Sequence, residues 1–314
     1  MTEKSKGPSS TWLQPLEARL TAKGNGNPKR SVEELAAHVL GCKPLEIYFR
    51  EMTSEQEAEL ETLITRAELG EPIQYIIGHV DFRGVEITCD LRALIPRPET
   101  ELLVEEVLKS VSSFNFQVSD FIRIADVCTG TGCIGLALAH ELPNAKVTAI
   151  DISPDALALA KENAERLGLL DRFTTVQGNL LNVDATSSSR CNRKECGEDT
   201  ASTLFAEHSF AVVVSNPPYI LSGICKELDR SVKEYEPQLA LDGGADGMDL
   251  IRPLVEQASR VLKPGGGLFL EIGFDQGEAV FQWLEKCGFK NVRIIKDYAG
   301  LDRIVCGTQP FGVR

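Results

Sequence analysis

One apolar run of the chain ends in residues that could hold a planar amino group. Residues 210–215 are apolar and rich in valine, which predicts a buried strand, and they are followed by Asn216-Pro217-Pro218-Tyr219. Proline fixes its own φ and pushes the preceding residue to extended geometry, so the Asn216 side-chain oxygen and the Pro217 carbonyl are offered side by side. Two such acceptors could hold both hydrogens of an NH2 group and leave its nitrogen facing a third direction.

The same four residues have a simpler interpretation, because Asn-Pro commonly marks a turn after a strand. In an open α/β sheet, however, ligands bind outside the carboxyl ends of the strands, where this tip is expected to lie. The tetrapeptide resembles the signature of S-adenosylmethionine-dependent methyltransferases that act on planar amino or amide nitrogens. Pro218 is then expected to rigidify the turn and Tyr219 to pack on the substrate amide, the alternative for Tyr219 being a place in the core.

A second motif is compatible with two kinds of cofactor. Residues 130–135 read Gly-Thr-Gly-Cys-Ile-Gly, which fits the dinucleotide-binding pattern Gly-x-Gly-x-x-Gly, and Asp151 ends the next predicted strand. Glycine lets the backbone approach a ligand, and a carboxylate at that strand end accepts hydrogen bonds from ribose hydroxyls. A dehydrogenase would leave Asn216 to Tyr219 without a role, and the chain shows no set of residues for hydride transfer.

The resemblance to methyltransferases assigns this region to S-adenosylmethionine. It implies that Asp151 holds the ribose, that Asn179 and Leu180 lie beside adenine, and that Asn216 borders the cofactor. It also implies that the turn residues cradle the methionine portion: Cys128, Thr129, Gly130, Thr131 and Gly132. Cys128 stands where such enzymes usually have glycine, and Asn179 where aspartate is common. A third hypothesis follows from these departures, namely a methyltransferase-like fold that binds partners without catalysis.

Nearly the whole chain resembles the HemK/PrmC family, the glutamine N5-methyltransferases of peptide-chain release factors. The segments that carry the resemblance are Ile-Pro-Arg-Pro-Glu-Thr-Glu at residues 95–101, Tyr-Glu-Pro at 235–237, Leu-Asp-Gly-Gly at 241–244 and Asp-Gly at 246–247. The resemblance implies methyl transfer to the glutamine of the Gly-Gly-Gln motif of a release factor. The alternatives are an amino-methyltransferase acting on nucleic-acid adenine or on a ribosomal-protein glutamine.

Strand and helix patterns alternate from residue 121, which predicts an α/β fold. The expected architecture is a class I methyltransferase, Rossmann-like, with a mixed seven-stranded sheet whose last two strands are antiparallel. The expected divisions are a helical substrate-recognition domain at 1–78, a β-hairpin linker at 79–97 and a methyltransferase domain at 98–314, with a polar surface insertion at 183–208. Within the first domain, Ser31 to Glu34 fit a capping box, and another helix is expected from about Ser54.

Composition limits the partners. The 314 residues carry a formal net charge of −13, which is unfavourable for extended contact with nucleic acid. No apolar run is long enough to span a membrane. The nine cysteines are scattered, and Cys191 and Cys196 lack a second close pair, so free thiols and no metal are expected. The N-terminus shows no signal or transit pattern, so the expected location is the cytoplasm, or an organellar matrix in a eukaryote. The chain is expected to be a monomer.

Overall fold

A computed structural model describes residues 12–113, 121–183 and 203–311. Within these ranges the chain forms two compact units. The first contains the described residues up to His79 together with Asp229–Tyr235, and the second contains the described parts of 80–228 and 236–314. The described part of the predicted 183–208 insertion comprises its two ends, whereas residues 184–202, with Cys191 and Cys196, lie outside the described residues.

The first unit is helical. Its first four α-helices are α1 (Leu13–Ala22), α2 (Pro28–Leu40), α3 (Ser54–Glu68) and α4 (Ile73–Ile77), with a 3-10 helix at Pro44–Phe49 between α2 and α3. Leucine and isoleucine side chains from all four, with Leu20, Leu35 and Ile64 fully buried, form its core. This is the amphipathic pattern expected of a small helical bundle.

The predicted capping box at Ser31 is wrong. Helix α2 begins three residues earlier, at Pro28, because a proline at the first helical position has the required φ and lacks a hydrogen that would need a partner. The capping box of this unit lies instead at the start of α3. The Thr53 hydroxyl accepts from the Gln56 backbone N–H at 3.3 Å, and the Gln56 side chain accepts from the Thr53 backbone N–H at 3.0 Å.

The second unit is built on a mixed sheet. Its strand order is β10-β11-β9-β8-β3-β4-β5-β6-β7. The strands are β3 (Ile122–Val127), β4 (Ala145–Asp151), β5 (Phe173–Asn179), β6 (Asn182–Val183), β7 (Thr203–Leu204), β8 (Phe210–Ser215), β9 (Leu262–Glu271), β10 (Lys290–Lys296) and β11 (Asp302–Thr308). The helices are α5 (Thr100–Ser113), α6 (Cys133–Glu141), α7 (Pro154–Arg166), α8 (Ser222–Cys225), α10 (Ile251–Val261) and α11 (Gly277–Lys286), with a 3-10 helix at Gln238–Ala240. Helix α9 (Arg230–Lys233) belongs to the first unit.

The predicted seven-stranded mixed sheet is confirmed. Five strands, β3, β4, β5, β8 and β9, are parallel to one another, and β10 and β11 form the expected antiparallel pair. The two-residue strands β6 and β7 extend the β5 edge and were not predicted. The chain runs from β3 outward to β4 and β5 and then returns to β8 on the other side of β3, so the strand order reverses between β3 and β8. Ligands of open α/β sheets bind at such a reversal.

The segment before the sheet contains a short helix and a short hairpin. Residues 73–77 form helix α4, and the hairpin of the expected linker consists of β1 (His79–Phe82) paired to β2 (Val85–Thr88). Pro98 and Glu99 form a turn, and α5 begins at Thr100. Thr100 thereby becomes the first residue of a helix and is only 2% exposed.

Membrane-spanning helices and metal-binding clusters are both absent from the described residues. None of their helices is long and apolar enough to cross a membrane. They also contain no cluster of three or more His, Cys, Asp or Glu side chains that could hold a metal ion. The seven cysteines in these ranges form no disulfide.

Helix α6 packs against the sheet through a glycine. A Cβ on Gly135 would lie 2.8 Å from Val147 Cγ1 and 2.9 Å from Asp126 Oδ2, so the helix approaches β3 and β4 as closely as it does because that position has no side chain. By contrast, Gly223 in α8 has no heavy atom within 4 Å of such a Cβ.

Gly135→Ala should therefore destabilise the chain by about 1–3 kcal/mol through overpacking, although alanine is the better helix former. Gly223→Ala is the matched control, and it should be neutral or slightly stabilising. Thermal unfolding of both variants checks this, and a Gly135→Ala chain that melts at or above the temperature of the starting protein would show that α6 can move away from the sheet without cost.

Candidate active site

A cleft lies at the carboxyl ends of β3, β4, β5 and β8, and all of its lining residues belong to the second unit. It contains about 1050 Å³ of empty space including its open mouth, which suits a cofactor with part of a substrate. Of the residues predicted to form the site, nine line the cleft: Cys128, Thr129, Gly130, Thr131, Asp151, Asn179, Leu180, Asn216 and Pro218. Gly132, Pro217 and Tyr219 lie nearby but do not line it.

The turn after β3 has a left-handed backbone at three positions. The φ angles are +56° at Cys128, +54° at Gly130 and +82° at Gly132. Glycine adopts this conformation without strain, whereas a residue with a Cβ does so at a cost, and Cys128 bears that cost. Burial raises the pKa of the Cys128 thiol, and the nearby Asp151 carboxylate adds to the effect, so Cys128 faces the cleft as a neutral thiol.

Asp126, within β3, holds this turn in place through hydrogen bonds. Its Oδ2 accepts from the Thr129 hydroxyl at 2.6 Å and from the Gly135 backbone N–H at 3.0 Å, so one carboxylate oxygen ties the strand to both the turn and α6. Asp126 is fully buried, and its Oδ1 has no hydrogen-bond partner among the described residues. Burial raises the pKa of Asp126 to about 7, against the opposing effect of the two hydrogen bonds.

Asp151, at the end of β4, faces the cleft with two backbone contacts. Its Oδ2 accepts from the Gly130 N–H at 2.9 Å and its Oδ1 from the Ser153 N–H at 3.0 Å. Burial raises the pKa of this carboxyl, and these hydrogen bonds oppose the rise. Each carboxylate oxygen can accept further hydrogen bonds, so Asp151 has free acceptor capacity for two adjacent hydroxyls such as those of a ribose.

The cleft walls beyond Asp151 are apolar. Ile152 is 47% exposed although it is apolar, and Leu180 is buried with a left-handed φ of +57°. Asn179, at the end of β5, is exposed and supplies an amide to the same wall. Apolar side chains beside a single amide suit an aromatic base with ring nitrogens. Together with the left-handed turn and the Asp151 carboxylate, this set of groups fits S-adenosylmethionine.

The strand tip after β8 is held at Asn216 by the start of α5. The Asn216 Nδ2 donates to the Thr100 Oγ1 at 3.2 Å, and Thr100 is buried. Asn216 itself is half-buried and lines the cleft. Since its NH2 group is engaged by Thr100, the carbonyl oxygen is the part of the side chain left as an acceptor.

Tyr219 points into the core rather than along the cleft wall. Its hydroxyl donates to Glu271 Oε1 at 3.3 Å, and its ring packs with the apolar residues between the sheet and helices α10 and α11. Burial raises the pKa of the Tyr219 phenol, and the negative charge of Glu271 adds to the rise, so the hydroxyl remains a donor.

The rest of the tip is fixed by close backbone approaches. A Cβ on Gly243 would lie 2.6 Å from the Tyr219 Cα, and one on Gly247 would lie 2.4 Å from the Tyr219 carbonyl oxygen. That carbonyl accepts from the buried Gln276 Nε2 at 2.9 Å. Gly243 of the Leu-Asp-Gly-Gly segment and Gly247 of the Asp-Gly segment are therefore required by the packing of the Asn-Pro-Pro-Tyr tip.

The buried Glu236 carboxylate holds the opposite wall of the cleft in place. Glu236 is 5% exposed; its Oε1 accepts from the Arg97 guanidinium at 2.5 Å and its Oε2 from the Ile95 backbone N–H at 3.2 Å. Ile95 and Arg97 line the cleft, as does Pro237 next to Glu236. The Ile-Pro-Arg and Glu-Pro segments, remote in sequence, are thus joined into one wall.

Comparisons with known proteins give the family of this chain. A model of the PrmC N-terminal domain matches residues 11–78, and a model of a methyltransferase domain matches residues 119–275. Named release factor glutamine methyltransferases are similar over most of the chain. The protein from Geobacter sulfurreducens is 35% identical over 92% of this chain and 92% of its own length, and that from Moorella thermoacetica is 40% identical over 76% of each.

The chain belongs to the release factor glutamine methyltransferase family. It is an enzyme with a class I methyltransferase fold, and its cofactor is S-adenosylmethionine. Among solved structures, the hMettl16 catalytic domain has a TM-score of 0.53 at 15% identity and covers 79% of this chain and 83% of its own, a likeness of fold alone. With the family known, the predicted dehydrogenase alternative has no remaining support.

Sequence reasoning missed several residues that shape the site. Asp126 and Glu271 both stand within or at the end of strongly apolar runs, and a charged residue in such a run signals a buried carboxylate with a specific task. Thr100 and Gln276 carry no comparable signal, because a hydroxyl or amide in a polar segment is ordinary. The partners that give them their roles, Asn216 and Tyr219, lie more than 50 residues away.

In the Asp126→Asn variant, the free energy of unfolding should decrease less as the pH rises than it does in the starting protein. The folded pKa of about 7 exceeds the unfolded value of 3.8, so the native chain binds more protons between these values and its stability decreases as pH rises through that window. Asparagine cannot ionise, so across this pH window the variant should lose about 1–4 kcal/mol less of its unfolding free energy than the starting protein does. Chemical unfolding of both proteins from pH 4 to 8 gives the difference, and parallel profiles would show that Asp126 titrates normally.

Asp151→Ala should weaken S-adenosylmethionine binding by about 1–3 kcal/mol, because ribose hydroxyls would lose a charged acceptor in a partly dry cleft. Asp151→Asn keeps one oxygen for the turn and separates loss of charge from collapse of the turn. Asp155→Ala, at an exposed position in α7, is the control and should bind normally. An Asp151→Ala chain with unaltered affinity in calorimetry would remove this carboxylate from the binding site.

Proposed function

We propose that the chain transfers a methyl group from S-adenosylmethionine to the side-chain amide nitrogen, N5, of the glutamine in the Gly-Gly-Gln motif of a peptide-chain release factor. The observation that carries this proposal is the orientation of Asn216. Its NH2 group is bonded to Thr100, so its oxygen is left as an acceptor beside the cleft. An acceptor in that place suits a substrate that presents N–H groups.

The difficulty of the reaction is the weak nucleophilicity of an amide, whose lone pair is delocalised into the carbonyl. Bound S-adenosylmethionine supplies an electrophilic methyl group on a sulfonium. The Asn216 oxygen and the Pro217 carbonyl hold the two amide hydrogens, so the nitrogen lone pair faces away from both acceptors. Both oxygens also stabilise the positive charge that grows on the nitrogen, and the proton that it finally loses leaves to water. Positioning and preorganised dipoles together supply the catalysis.

The remaining site residues are proposed to bind the cofactor. Asp151 takes the ribose hydroxyls, Asn179 and Leu180 border the adenine, and the Cys128–Gly132 turn holds the methionine portion. Tyr219 supports the site indirectly, through its hydrogen bond to Glu271 and its packing in the core. The net charge of −13 supports a protein substrate over a nucleic acid. We further propose that the chain acts as a monomer in the cytoplasm, or in an organellar matrix in a eukaryote, with residues 1–78 recognising the release factor.

Incubation with radiolabelled S-adenosylmethionine and a release factor tests the reaction. Label should enter the factor with Gly-Gly-Gln and not a factor in which that glutamine is replaced by asparagine. Transfer to duplex DNA or to ribosomal protein in preference to the release factor would contradict the proposed substrate.

Asn216→Ala should lower the single-turnover rate on the release factor by about 100-fold or more, the usual scale for loss of one preorganised polar contact. Its affinity for S-adenosylmethionine should change far less, because Asp151 and the turn remain. Asn216→Asp keeps an acceptor but places a full charge near the sulfonium, so it should bind the cofactor at least as well while misaligning the amide. If Asn216→Ala methylates at close to the starting rate and melts normally, the strand tip is only a turn.

A further inference from the structure

Three large apolar side chains are exposed at the edge of the sheet that carries the active site. Phe274 is 61% exposed, Tyr298 is 94% exposed and Leu301 is 44% exposed. Phe274 follows the carboxyl end of β9, and the other two lie in the turn between β10 and β11. A single exposed apolar residue is ordinary, whereas a group of them beside a functional site indicates a surface that another molecule covers.

The register of the sheet brings the two turns together. Glu271, the last residue of β9, pairs with Ile304 of β11. Phe274 and Leu301 each lie three residues beyond this pair, where the two chain segments leave neighbouring strands about 4.8 Å apart. A Cβ on Gly277 would collide with the aspartate that begins β11, so the segment after Phe274 packs directly against the second turn. The three side chains therefore belong to one surface.

The turn that carries Phe274 is fixed to the strand tip that carries Asn216. Strands β8 and β9 are parallel neighbours, so the segments that follow them leave the sheet side by side. Gln276 joins these segments: its Oε1 accepts from the Gly273 N–H at 2.9 Å, and its Nε2 donates to the Tyr219 carbonyl at 2.9 Å. The exposed surface is thus continuous with the catalytic tip.

The turn that carries Tyr298 is also held in one conformation. The Asp297 Oδ1 accepts from the Ala299 N–H at 2.9 Å and from the Leu301 N–H at 3.0 Å. The Asp297 Oδ2 accepts from the Arg303 Nη2 at 3.0 Å. A side chain on a fixed turn meets a partner without the entropy cost of ordering the backbone. Tyr298 therefore combines almost complete exposure with a preorganised position.

The charge of this surface favours a basic partner. Lys296 pairs with Asp302 at 2.6 Å, and the acid of the Tyr298 turn pairs with its arginine. Asp275, next to Phe274, is exposed, and its carboxylate has no hydrogen-bond or ion-pair partner in the part of the chain that the structure describes. An unpaired carboxylate beside apolar rings fits a protein face that carries apolar groups and a Lys or Arg side chain. The net charge of −13 acts in the same sense.

The surface lies within reach of a protein that places a side chain in the cleft. A standard interface covers about 800 Å² of each partner, which corresponds to a disc of about 16 Å radius. The turn between β10 and β11 is two to three strands from the end of β8, or about 10–14 Å. One interface centred beside Asn216 therefore includes Phe274, Tyr298 and Leu301.

We propose that Phe274, Tyr298 and Leu301, together with Asp275, form a docking surface for the release factor. A face of the factor that carries apolar side chains and a basic residue lies on this surface while the glutamine occupies the cleft. This inference deepens the proposed function and rests on it for the identity of the partner. The docking surface contributes affinity for the whole protein, and the chemistry stays with the strand tip.

Four variants of the full-length chain test the apolar part of this surface. Phe274→Ala and Tyr298→Ala each remove a ring, whereas Tyr298→Phe keeps the ring. Phe121→Ala is the control, because it removes an exposed phenylalanine that precedes β3 at the opposite edge of the same sheet. The measurements are kcat and KM for a Gly-Gly-Gln release factor, the affinity of the chain loaded with S-adenosylhomocysteine for that factor by calorimetry, the affinity for S-adenosylmethionine, and the melting temperature.

We expect KM and the dissociation constant of the release factor to rise about 10-fold or more in Phe274→Ala and in Tyr298→Ala, the scale for truncation of a central interface side chain. The kcat, the cofactor affinity and the melting temperature should stay close to those of the starting protein. Tyr298→Phe and Phe121→Ala should behave as the starting protein. Unchanged KM in both alanine variants overturns the proposal, as does a fall in kcat with unchanged KM.

The charge is tested separately by Asp275→Asn, which keeps the size of the side chain. Its KM for the release factor should be about 2- to 5-fold higher at low salt, the range for one exposed ion pair. The KM of the starting protein should also rise more steeply with salt than that of Asp275→Asn, because salt screens an attraction that the variant lacks. A KM that is the same for both proteins at every salt concentration contradicts a basic partner face.

Two further outcomes separate this inference from its alternatives. A starting protein that methylates no release factor overturns the proposed function and, with it, this partner, whereas unaltered variants on a factor that the starting protein does methylate overturn the docking surface alone. Analytical ultracentrifugation should show a monomer for the starting protein and for Phe274→Ala. A dimer that separates in Phe274→Ala overturns the proposal, because a second copy of the chain would then cover the surface.

Discussion

The hydrogen bond between the Asn216 side chain and the Thr100 hydroxyl joins the two parts of the fold on which the site depends. It links the end of β8, at the reversal of strand order, to the first residue of α5. A free asparagine at a strand end could face in several directions. Here a buried hydroxyl takes its NH2 group, and an acceptor is left beside the cleft. The chemistry suggested for this site, holding the hydrogens of a planar amide, requires that choice.

Buried and half-buried carboxylates hold the other walls of the cleft in a similar way. Asp126 fixes the turn after β3, and Asp151 fixes the backbone at Gly130 and Ser153. Glu236 joins the segment at Ile95 to the segment that contains Glu236 itself. Each acid accepts from backbone N–H groups or a short side chain, so loops that lack regular secondary structure are still held in one conformation. A preorganised site needs such support because its dipoles must be in place before the reaction begins.

The sequence predicted the sheet well and the supporting contacts poorly. Strand β3 and the tip of β8 were located because apolar runs bounded by glycine or proline depend on neighbouring residues alone. The capping box was predicted at the wrong helix. Ser31 has the right spacing to Glu34, but Pro28 starts that helix earlier, and the capping box in the structure is formed by Thr53 and Gln56. Thr100 could not be assigned, because its role arises from a contact with Asn216 in a distant segment.

The most direct test of the account is a crystal structure of the chain with S-adenosylhomocysteine and a release factor that carries Gly-Gly-Gln. The account predicts that the glutamine side-chain nitrogen lies within about 3.2 Å of both the Asn216 Oδ1 and the Pro217 carbonyl oxygen, with its third face towards the cofactor sulfur. A glutamine bound elsewhere in the cleft, or an Asn216 that presents its NH2 group to the substrate, would contradict it.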